Sequence, residues 1–387
     1  MKALVFSRKP ARYAAAMVAG ALRPGKGARY GPLALRDVDP PDLPGDDWVR
    51  VRPRLAGICG SDLATLDGKS SRYFEPIVSF PFVPGHEIVG ELDDGSRVVV
   101  VPVLSCATRD VDPVCDMCAD GRVNLCERIA YGHLEPGLQT GFCESTGGGW
   151  STTMVAHRSQ LVPIPDDLSD EAAVLVEPTA CAVHAADQTY GGQIALIGSG
   201  ALGLLTIAAL DAAHSEHRHA TQIVATAKHA DQRYWAEQLG ADVVCAPGEL
   251  DRVIRSTSGS MLLDNGQLTC GFDTVVDCVG SEQSLAQALR VVAPGGDVFA
   301  VGMPGVTTLD LTPLWHREVA LRGVYAYTRD DFDTAIDLVR KLDLGRLVSA
   351  TYPLSRYEDA IEHAATAGVR GAVKIAFDLR AERERKL

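Results

Sequence analysis

Four residues that lie far apart in the sequence have side chains that together could bind a catalytic metal. Cys59 lies in the run GICGSD, and His86 and Glu87 lie in the run PGHE. Glu177 begins the run EPTACAVHA. A thiolate, an imidazole and carboxylates form the ligand set of a catalytic zinc, which keeps one coordination position open for water or substrate. Any one of these residues alone would be weak evidence, so the prediction of a catalytic zinc rests on their combination.

A group of cysteines further along the chain has the spacing of a structural metal site. Cys115, Cys118 and Cys126 form the pattern C-x2-C-x7-C, and Cys106 lies upstream of them. Four thiolates close a tetrahedral zinc site and leave no position for a substrate. We therefore predict a structural zinc with Cys106 as the fourth ligand. Asp112 is the alternative fourth ligand, and free thiols are the alternative to metal binding.

A glycine-rich turn separates an apolar strand-like run from an apolar helix-like run. The turn reads GSGALG, and the residues that we expect to contact a cofactor are Gly198, Gly200, Ala201, Leu202 and Gly203. Glycines in a G-x-G-x-x-G turn let the backbone approach a pyrophosphate at the N-terminus of the following helix. The turn therefore predicts a dinucleotide site, with a purely structural turn as the alternative.

The end of the next predicted strand bears on the choice between NADP and NAD. NAD enzymes place an Asp or Glu there, and its carboxylate binds the ribose hydroxyls. In this chain Ala227 occupies that position, and Lys228 and Arg233 follow it. Two cations near the ribose could hold a 2′-phosphate, so we predict NADP, with NAD as the alternative. Solvated surface charges are the alternative explanation for the two cations.

The elements that must position these residues change in character along the chain. Up to about residue 180, short alternating runs such as DWVRVRPRL are broken by Gly, Pro and Asp, which predicts a mostly antiparallel β domain. From about residue 191, strands alternate with helical stretches, which predicts a doubly wound parallel sheet. The predicted strands of that sheet are 193–197, 222–226, 242–245, 273–277, 297–301 and 319–324. A helix over 330–342 and a last strand, KIAFDL, are predicted to return to the first domain, and no structure is predicted for residues 11–31.

Charge and hydropathy exclude several classes of partner. The chain of 387 residues has a net charge of −13 and no basic run, which argues against nucleic-acid binding. The start MKALVF lacks the features of a signal peptide. The longest apolar stretch, 194–210, contains three glycines and Ser199 at turn positions, so we expect no membrane span. With metal-type rather than disulfide-type cysteine spacing, these features predict a cytoplasmic protein.

Five motifs in a fixed order resemble those of one enzyme family. GICGSD, PGHEIVGE, the cysteine group, VEPTACAVHA and IGSGALG together resemble the zinc-dependent medium-chain alcohol dehydrogenases, nearest to their polyol and threonine dehydrogenase branch. The resemblance implies an α/β protein in which a GroES-like, mostly β catalytic domain (1–184 and 326–387) is split around a Rossmann domain (185–325). It also implies two zinc ions per chain and assembly as a homodimer or homotetramer.

The resemblance assigns roles to individual positions. It makes Cys59, His86 and Glu177 the ligands of the catalytic zinc, with Glu87 beside them or exchanging with water. Ser61 matches the hydroxyl that contacts the alcohol at the zinc. Ala64 stands where the family often has a histidine, so the outer part of the proton relay differs here, and residues 11–31 look inserted relative to the family.

The activity implied by the resemblance is hydride transfer between an alcohol and NAD(P). A secondary alcohol or polyol is the expected substrate, and a ketone or aldehyde is the expected product. A small molecule is therefore the expected partner. The alternative is a structural or sensor protein that binds a dinucleotide on the same fold without turnover.

Overall fold

The computed structural model describes residues 1–215, 221–303 and 305–380, so residues 381–387 of the predicted segment 326–387 lie outside the described residues. The strands in chain order are β1 (Lys2–Phe6), β2 (Leu33–Asp37), β3 (Trp48–Gly57), β4 (Ile88–Glu91), β5 (Arg97–Val100), β6 (Met154–His157), β7 (Leu161–Pro163), β8 (Gln193–Ile197), β9 (Gln222–Thr226), β10 (Val243–Cys245), β11 (Phe272–Asp277), β12 (Val292–Ala300), β13 (Ala320–Gly323), β14 (Val348–Tyr352) and β15 (Lys374–Asp378). The α-helices are α1 (Pro10–Leu22), α2 (Gly27–Tyr30), α3 (Gly60–Leu66), α4 (Asp116–Ala119), α5 (Asp170–Ala173), α6 (Val176–Asp187), α7 (Ala201–Ala213), α8 (Ala230–Gln238), α9 (Leu250–Ser258), α10 (Glu282–Val291), α11 (Thr312–His316), α12 (Arg329–Lys341) and α13 (Tyr357–Ala365).

The chain divides into two compact units, and the first of them is discontinuous in sequence. Unit 1 comprises Met1–Glu177 and the chain from Tyr327 onward, and unit 2 comprises Pro178–Ala326. Cys59, His86 and Glu177 therefore all belong to unit 1. None of the helices that the structure describes is long and apolar enough to cross a membrane.

The main sheet of unit 1 places two functional segments side by side. Its strand order is β14-β15-β3-β4-β5-β7, and β6 pairs with β3. β15 runs antiparallel to β3, with Ala376 opposite Gly57. Burial alternates along β3, where Leu55 points into the hydrophobic core. Phe377 of β15 is also buried in the core. The sheet thus brings the start of β15 next to the end of β3, from which the chain continues to Cys59.

The stretch 11–31, for which the sequence predicted no structure, is helical. Helices α1 and α2 lie there and are held to the loop after α3 by one buried carboxylate. The carboxylate of Asp67 accepts hydrogen bonds from the backbone N–H groups of Gly25 and Gly27, each with an N–O distance of 3.0 Å. Lys26 also forms a salt bridge of 2.8 Å with Glu362 in α13. The insertion is therefore joined to the helix that begins directly after Cys59.

Unit 2 is built on a parallel sheet with the strand order β10-β9-β8-β11-β12-β13. Each neighbouring pair is parallel, which gives the doubly wound arrangement expected of a dinucleotide-binding fold. The strands over 193–197 and 222–226 have the predicted bounds, whereas β12 begins at Val292 rather than at residue 297. A register shift between β11 and β12 accommodates the additional residues of β12, including the glycine pair before Asp297. The predicted fold class is confirmed.

Candidate active site

Cys59 is fixed at the junction of a strand and a helix. β3 ends at Gly57, and Cys59 is the N-cap residue of α3. Its backbone N–H donates to Oδ2 of Asp62 at 3.0 Å, which satisfies a donor that the helix itself leaves unpaired. The half-buried thiol is thereby held on a rigid element rather than on a mobile loop.

His86 is buried between an aromatic ring and a carboxylate. It follows Gly85, which has a positive φ of 97°, and its ring lies 5.9 Å from the ring of Phe142. Nδ1 lies 3.6 Å from Oδ1 of Asp62, whereas Nε2 lies 3.5 Å from Oγ of Ser61. A carboxylate facing one imidazole nitrogen orients the ring and leaves the other nitrogen for a metal. Asp62 therefore supports both Cys59 and His86.

Glu177 lies in the first turn of α6, where its carboxylate is buried. Oε1 accepts a hydrogen bond of 2.9 Å from the hydroxyl of Tyr327, which is fully buried. Burial raises the pKa of Glu177 to about 7, although His86 and Tyr327 act to lower it. Tyr327 thus fixes one carboxylate oxygen.

Glu87 lies next to His86 in sequence and is neutralised by a buried ammonium group. Lys374, the first residue of β15, forms an ion pair with both carboxylate oxygens of Glu87. Burial lowers the pKa of Lys374, but the Glu87 charge raises it more, so the pKa lies above its usual value. Gly57 completes this arrangement, because a Cβ at that position would collide with Oε2 of Glu87.

The charges of this cluster fit a divalent cation. The carboxyl groups of Asp62, Glu87 and Glu177 are all buried, and Lys374 supplies one opposing positive charge. Burial lowers the pKa of His86, yet Asp62, Cys59 and Glu177 together raise it well above its usual value. The site thus favours extra positive charge, which either a proton on His86 or a metal dication would supply. The donor set of thiolate, imidazole and carboxylate is one that zinc prefers.

The four cysteines of the second group converge in the structure. The Sγ atoms of Cys106, Cys115, Cys118 and Cys126 all lie within 4.8 Å of one another. Tetrahedral zinc with Zn–S distances of about 2.3 Å places its sulfur atoms about 3.8 Å apart, and the Cys106–Cys126 distance is 3.7 Å. The group contains Cys106 rather than the alternative Asp112.

Backbone donors surround this four-cysteine group. The N–H of Cys115 points at Sγ of Cys106, and the N–H of Arg128 points at Sγ of Cys126, each at 3.4 Å. Burial raises the pKa values of the Cys118 and Cys126 thiols, whereas at Cys115 the N–H groups of Glu127 and Cys118 outweigh burial and lower the pKa to about 7. N–H groups aimed at sulfur favour the thiolate form that binds metal. The group therefore fits a structural zinc.

The two clusters differ in compactness. Among the residues that the structure describes, the four cysteines are the one group of three or more candidate ligands whose atoms all lie within 4.8 Å. The side chains of Cys59, His86 and Glu177 interact electrostatically but form a more open set. An open set is what a site needs if it is to admit a substrate.

In unit 2, the glycine turn connects β8 to α7 with the geometry of a cofactor-binding loop. Gly198 has a φ of 97°, and a Cβ at Gly203 would collide with the carbonyl of Gly198. A Cβ at Gly200, in contrast, would meet nothing within 4 Å, so the backbone there is open to a ligand. Ala201 and Leu202 begin α7 directly after the turn.

The end of β9 presents cations rather than a carboxylate. Ala227 follows β9 and is buried, so no acidic side chain occupies the position that binds ribose hydroxyls in NAD enzymes. Lys228 and Arg233 are exposed, and Nε of Arg233 lies 3.3 Å from the carbonyl oxygen of Ala227. The guanidinium group is thus drawn toward the predicted 2′-phosphate position.

Three residues of the active-site cluster, Asp62, Lys374 and Tyr327, were not predicted from the sequence. Asp62 stands three residues after Cys59, where an acidic residue at a helix start is a recognisable capping signal. Lys374 is a charged residue at the start of an otherwise apolar strand, which was a visible anomaly. Tyr327 carried no comparable signal.

Two family models match the chain. Residues 45–166 match the alcohol dehydrogenase GroES-like domain, and residues 201–341 match the zinc-binding dehydrogenase model. The first matched segment contains Cys59, His86 and the four cysteines. The second begins at Ala201, within the cofactor turn.

Relatives of known name extend over most of the chain. L-idonate 5-dehydrogenase of Vitis vinifera is 28% identical over 353 residues, which are 86% of this chain and 88% of the relative. Sorbitol dehydrogenase of Arabidopsis thaliana is 28% identical over 367 residues, or 90% and 91% of the two chains. A putative zinc-binding dehydrogenase of Sinorhizobium meliloti 1021, solved bound to NADP, has a TM-score of 0.69 at 25% identity and covers 89% of this chain and 96% of its own.

Proposed function

This chain belongs to the zinc-dependent medium-chain alcohol dehydrogenase superfamily, on its polyol dehydrogenase-like branch, and we propose that it interconverts a secondary alcohol or polyol and the corresponding carbonyl compound with NADP. As an enzyme, it is an NAD(P)-dependent alcohol oxidoreductase. The observation that supports the proposed site is that Cys59 and Glu177 both act on the buried His86, beside the buried carboxyl groups of Asp62 and Glu87.

We assign the catalytic zinc to Cys59, His86 and Glu177. When bound, zinc acts as a Lewis acid that lowers the pKa of an alcohol, and NADP carries the hydride. Asp62 holds the His86 ring from its Nδ1 side, and Tyr327 holds Glu177 by its Oε1. Glu87 is kept from the ligand set by its ion pair with Lys374, which is the arrangement expected of a carboxylate that lies beside the metal.

Ser61 is the group that takes up the substrate proton in this proposal. Its Oγ lies 3.5 Å from Nε2 of His86, on the side of the ring away from Asp62. The Thr65 hydroxyl donates to the backbone carbonyl of Ser61 rather than to its Oγ, and it lies 2.9 Å from Oγ of Ser70. Ala64 cannot carry a proton and a backbone carbonyl cannot pass one on, so the proposal assigns the proton to Ser61 and goes no further outward.

NADP is the proposed cofactor. The dinucleotide contacts are assigned to Gly198, Gly200, Ala201, Leu202 and Gly203, with Lys228 and Arg233 at the 2′-phosphate. Support comes from the absence of a carboxylate at Ala227 and from the related structure bound to NADP. NAD is the alternative, and a direct comparison of the two cofactors decides between them.

The remaining assignments follow the family resemblance. We assign the second zinc to Cys106, Cys115, Cys118 and Cys126, and the catalytic and Rossmann domains to 1–184 with 326–387 and to 185–325. A cytoplasmic homodimer or homotetramer, without a nucleic-acid or membrane partner, is the proposed form of the protein. A dinucleotide-binding protein without turnover is not favoured, because the relatives that match most of the chain are named as dehydrogenases.

A panel of secondary alcohols and polyols, assayed with NADP and with NAD, tests the proposal. We expect turnover that is faster with NADP and is lost in the Cys59→Ala variant. Cys270→Ala is the matched control, since that thiol belongs to unit 2 and contacts Ser258, whereas the proposed zinc ligands belong to unit 1, so turnover should be unchanged. Full activity of Cys59→Ala would contradict the assigned site, and elemental analysis should give about two zinc ions per chain in the wild type.

A further inference from the structure

Arg109 is a fully buried arginine in the loop that carries the four cysteines. It ends a short 3-10 helix, Ala107–Arg109, that begins directly after Cys106. A guanidinium group has five N–H donors in a fixed planar arrangement. Each nitrogen of Arg109 lies within 3.4 Å of at least one backbone carbonyl oxygen, and the five carbonyl groups belong to Leu104, Tyr131, Leu134, Glu135 and Gly137.

The charge of this arginine has no carboxylate partner. Among the residues that the structure describes, no acidic side chain lies within ion-pair distance of Arg109. Neutral carbonyl groups solvate a cation but do not cancel its charge, and an uncompensated buried charge costs several kcal/mol. The backbone N–H of Arg109 donates to the carbonyl oxygen of Cys106 at 3.1 Å, on the turn that carries this proposed ligand. Burial lowers the pKa of the guanidinium, whereas the thiols of Cys143, Cys126 and Cys106, in their thiolate form, act to raise it.

The four-cysteine group would supply the missing negative charge once it holds zinc. Four thiolates carry four negative charges and zinc carries two positive charges, so the filled site has a net charge of about −2. Cys143 stays neutral, because burial raises the pKa of its thiol. Two of the three thiol groups that act on Arg109 are thus proposed zinc ligands.

We propose that Arg109 is a positioning residue for the structural zinc: its charge balances the zinc–tetrathiolate group, and its donors tie residues 131–137 to that group. This inference rests on the proposed structural zinc and is independent of the proposed alcohol oxidation. A purely mechanical clamp is the competing explanation, and it differs in one respect. A clamp depends on the donors of the guanidinium, whereas a counter-charge depends on its positive charge.

The segment 131–137, which Arg109 holds through its carbonyl groups, leads directly to the catalytic cluster. Beyond Gly137, the chain passes Gly141, where a Cβ would lie 2.9 Å from the carbonyl oxygen of Gly85. Phe142 then packs against His86. Arg109 therefore anchors one end of a segment whose other end supports a proposed catalytic ligand.

Two substitutions separate charge from hydrogen bonding. Arg109→Gln removes the charge, whereas Arg109→Lys keeps the charge but offers at most three donors. Both are made in the full-length chain with Cys59→Ala, so that cobalt bound by several thiolates reports the four-cysteine site. Arg122→Gln is the matched control, since Arg122 lies on the same loop, is exposed and pairs with Asp120. The affinity of each protein for Co²⁺ is measured by competition with a chelator, and the thiolate-to-cobalt absorption band confirms the ligand set.

We expect Arg109→Gln to weaken cobalt binding by about tenfold or more, in the range observed when partners of metal ligands are removed. Arg109→Lys should stay within about threefold of the wild type, like Arg122→Gln. Equal losses in the lysine and glutamine variants would overturn the counter-charge. If Arg109→Gln fails to fold, Arg109→Lys alone decides, because a tenfold loss in that variant also overturns it. Absence of the thiolate band in the Cys59→Ala parent would overturn the structural zinc itself, and this inference with it.

Discussion

The four-cysteine group and the cluster around Cys59 are both proposed zinc sites, but they are supported in opposite ways. Around the four cysteines, backbone N–H groups point at sulfur, and the charge of the buried Arg109 acts on Cys126 and Cys106. Around Cys59, charged side chains oppose one another directly, as in the Lys374–Glu87 pair. The first group is compact and all-sulfur, whereas the second is open and mixed.

This difference indicates what each site has to do. A structural site gains most when the protein surrounds the ligands with fixed dipoles and leaves no coordination position free. A catalytic site must keep a position open, so its charges are balanced by neighbouring side chains that do not bind the metal. Four sets of variants test this contrast, from the largest expected effect to the smallest.

Removing one thiolate from each site should separate stability from turnover. Cys118→Ala should lower the melting temperature and the zinc content, because metal binding at a closed site contributes directly to folding. Cys59→Ala should lower turnover by roughly a thousandfold or more, since Lewis-acid stabilisation is worth several kcal/mol, with a smaller change in melting temperature. Zinc analysis, thermal unfolding and turnover are measured on both. If both variants lost zinc, melting temperature and turnover to the same extent, the two sites would not differ in role.

The Lys374→Met variant tests the charge balance of the open site. It leaves the Glu87 carboxylate buried without its cation, and breaking such a pair typically costs about 3–5 kcal/mol. The double variant with Glu87→Gln should recover much of that loss, because no unpaired charge remains. Chemical denaturation gives the free energy of unfolding of all three proteins, with Lys341→Met at an exposed position as the control. No recovery in the double variant would show that packing, not charge, is the cause.

The Tyr327→Phe variant tests the pH dependence of the open site. Since the pKa of Glu177 is raised from 4.5 to about 7, the folded metal-free protein binds more protons than the unfolded chain between these values. Its stability should therefore fall as the pH rises through that window. Loss of the Tyr327 hydrogen bond removes an effect that lowers the pKa, so the window should extend above pH 7 and zinc should load at a higher pH.

Thermal unfolding and zinc loading against pH measure this effect in the wild type and in Tyr327→Phe. Tyr352→Phe is the control, since that hydroxyl contacts His363 rather than the cluster. An unchanged loading curve in Tyr327→Phe would show that the hydrogen bond does not tune Glu177.

The Asp67→Asn variant should have the smallest effect. The amide keeps one acceptor for the two N–H groups of Gly25 and Gly27, so we expect a loss of about 1 kcal/mol. Thermal unfolding and zinc analysis should show a lower melting temperature with both zinc sites unaffected, and Asp120→Asn serves as an exposed control. A loss of the Cys59 zinc would instead show that the insertion is needed to hold the catalytic ligand.

The parts of the molecule that could be predicted have local sequence signals. The cysteine spacing, the glycine turn and the alternation of strands and helices each lie within a few to a few tens of residues. The supporting partners of the open site do not, because Lys374 is 287 positions from Glu87 and Tyr327 is 150 positions from Glu177. Such pairs depend on the sheet order, which a single sequence does not show.

The insertion over 11–31 was missed for a different reason. Helix α1 is rich in alanine, the strongest helix former, but Lys9 at its start makes no side-chain cap. Its glycine at position 20 fits closely against Asp67, a contact that only the folded structure reveals. The composition therefore contained a helix signal, and the missing capping residue concealed the start.

The place of β15 in the sheet has a consequence for protein synthesis. β15 lies between β14 and β3, inside the sheet of unit 1, although in chain order it follows all the other strands that the structure describes. Unit 2 is continuous in sequence and can fold while the chain is still being made, whereas unit 1 cannot close until residue 374 has emerged. A nascent chain stalled after α13 would expose the free edge of β3, and unpaired edges favour aggregation. Translation that fails late in the message should therefore yield a folded nucleotide-binding unit attached to an aggregation-prone remainder.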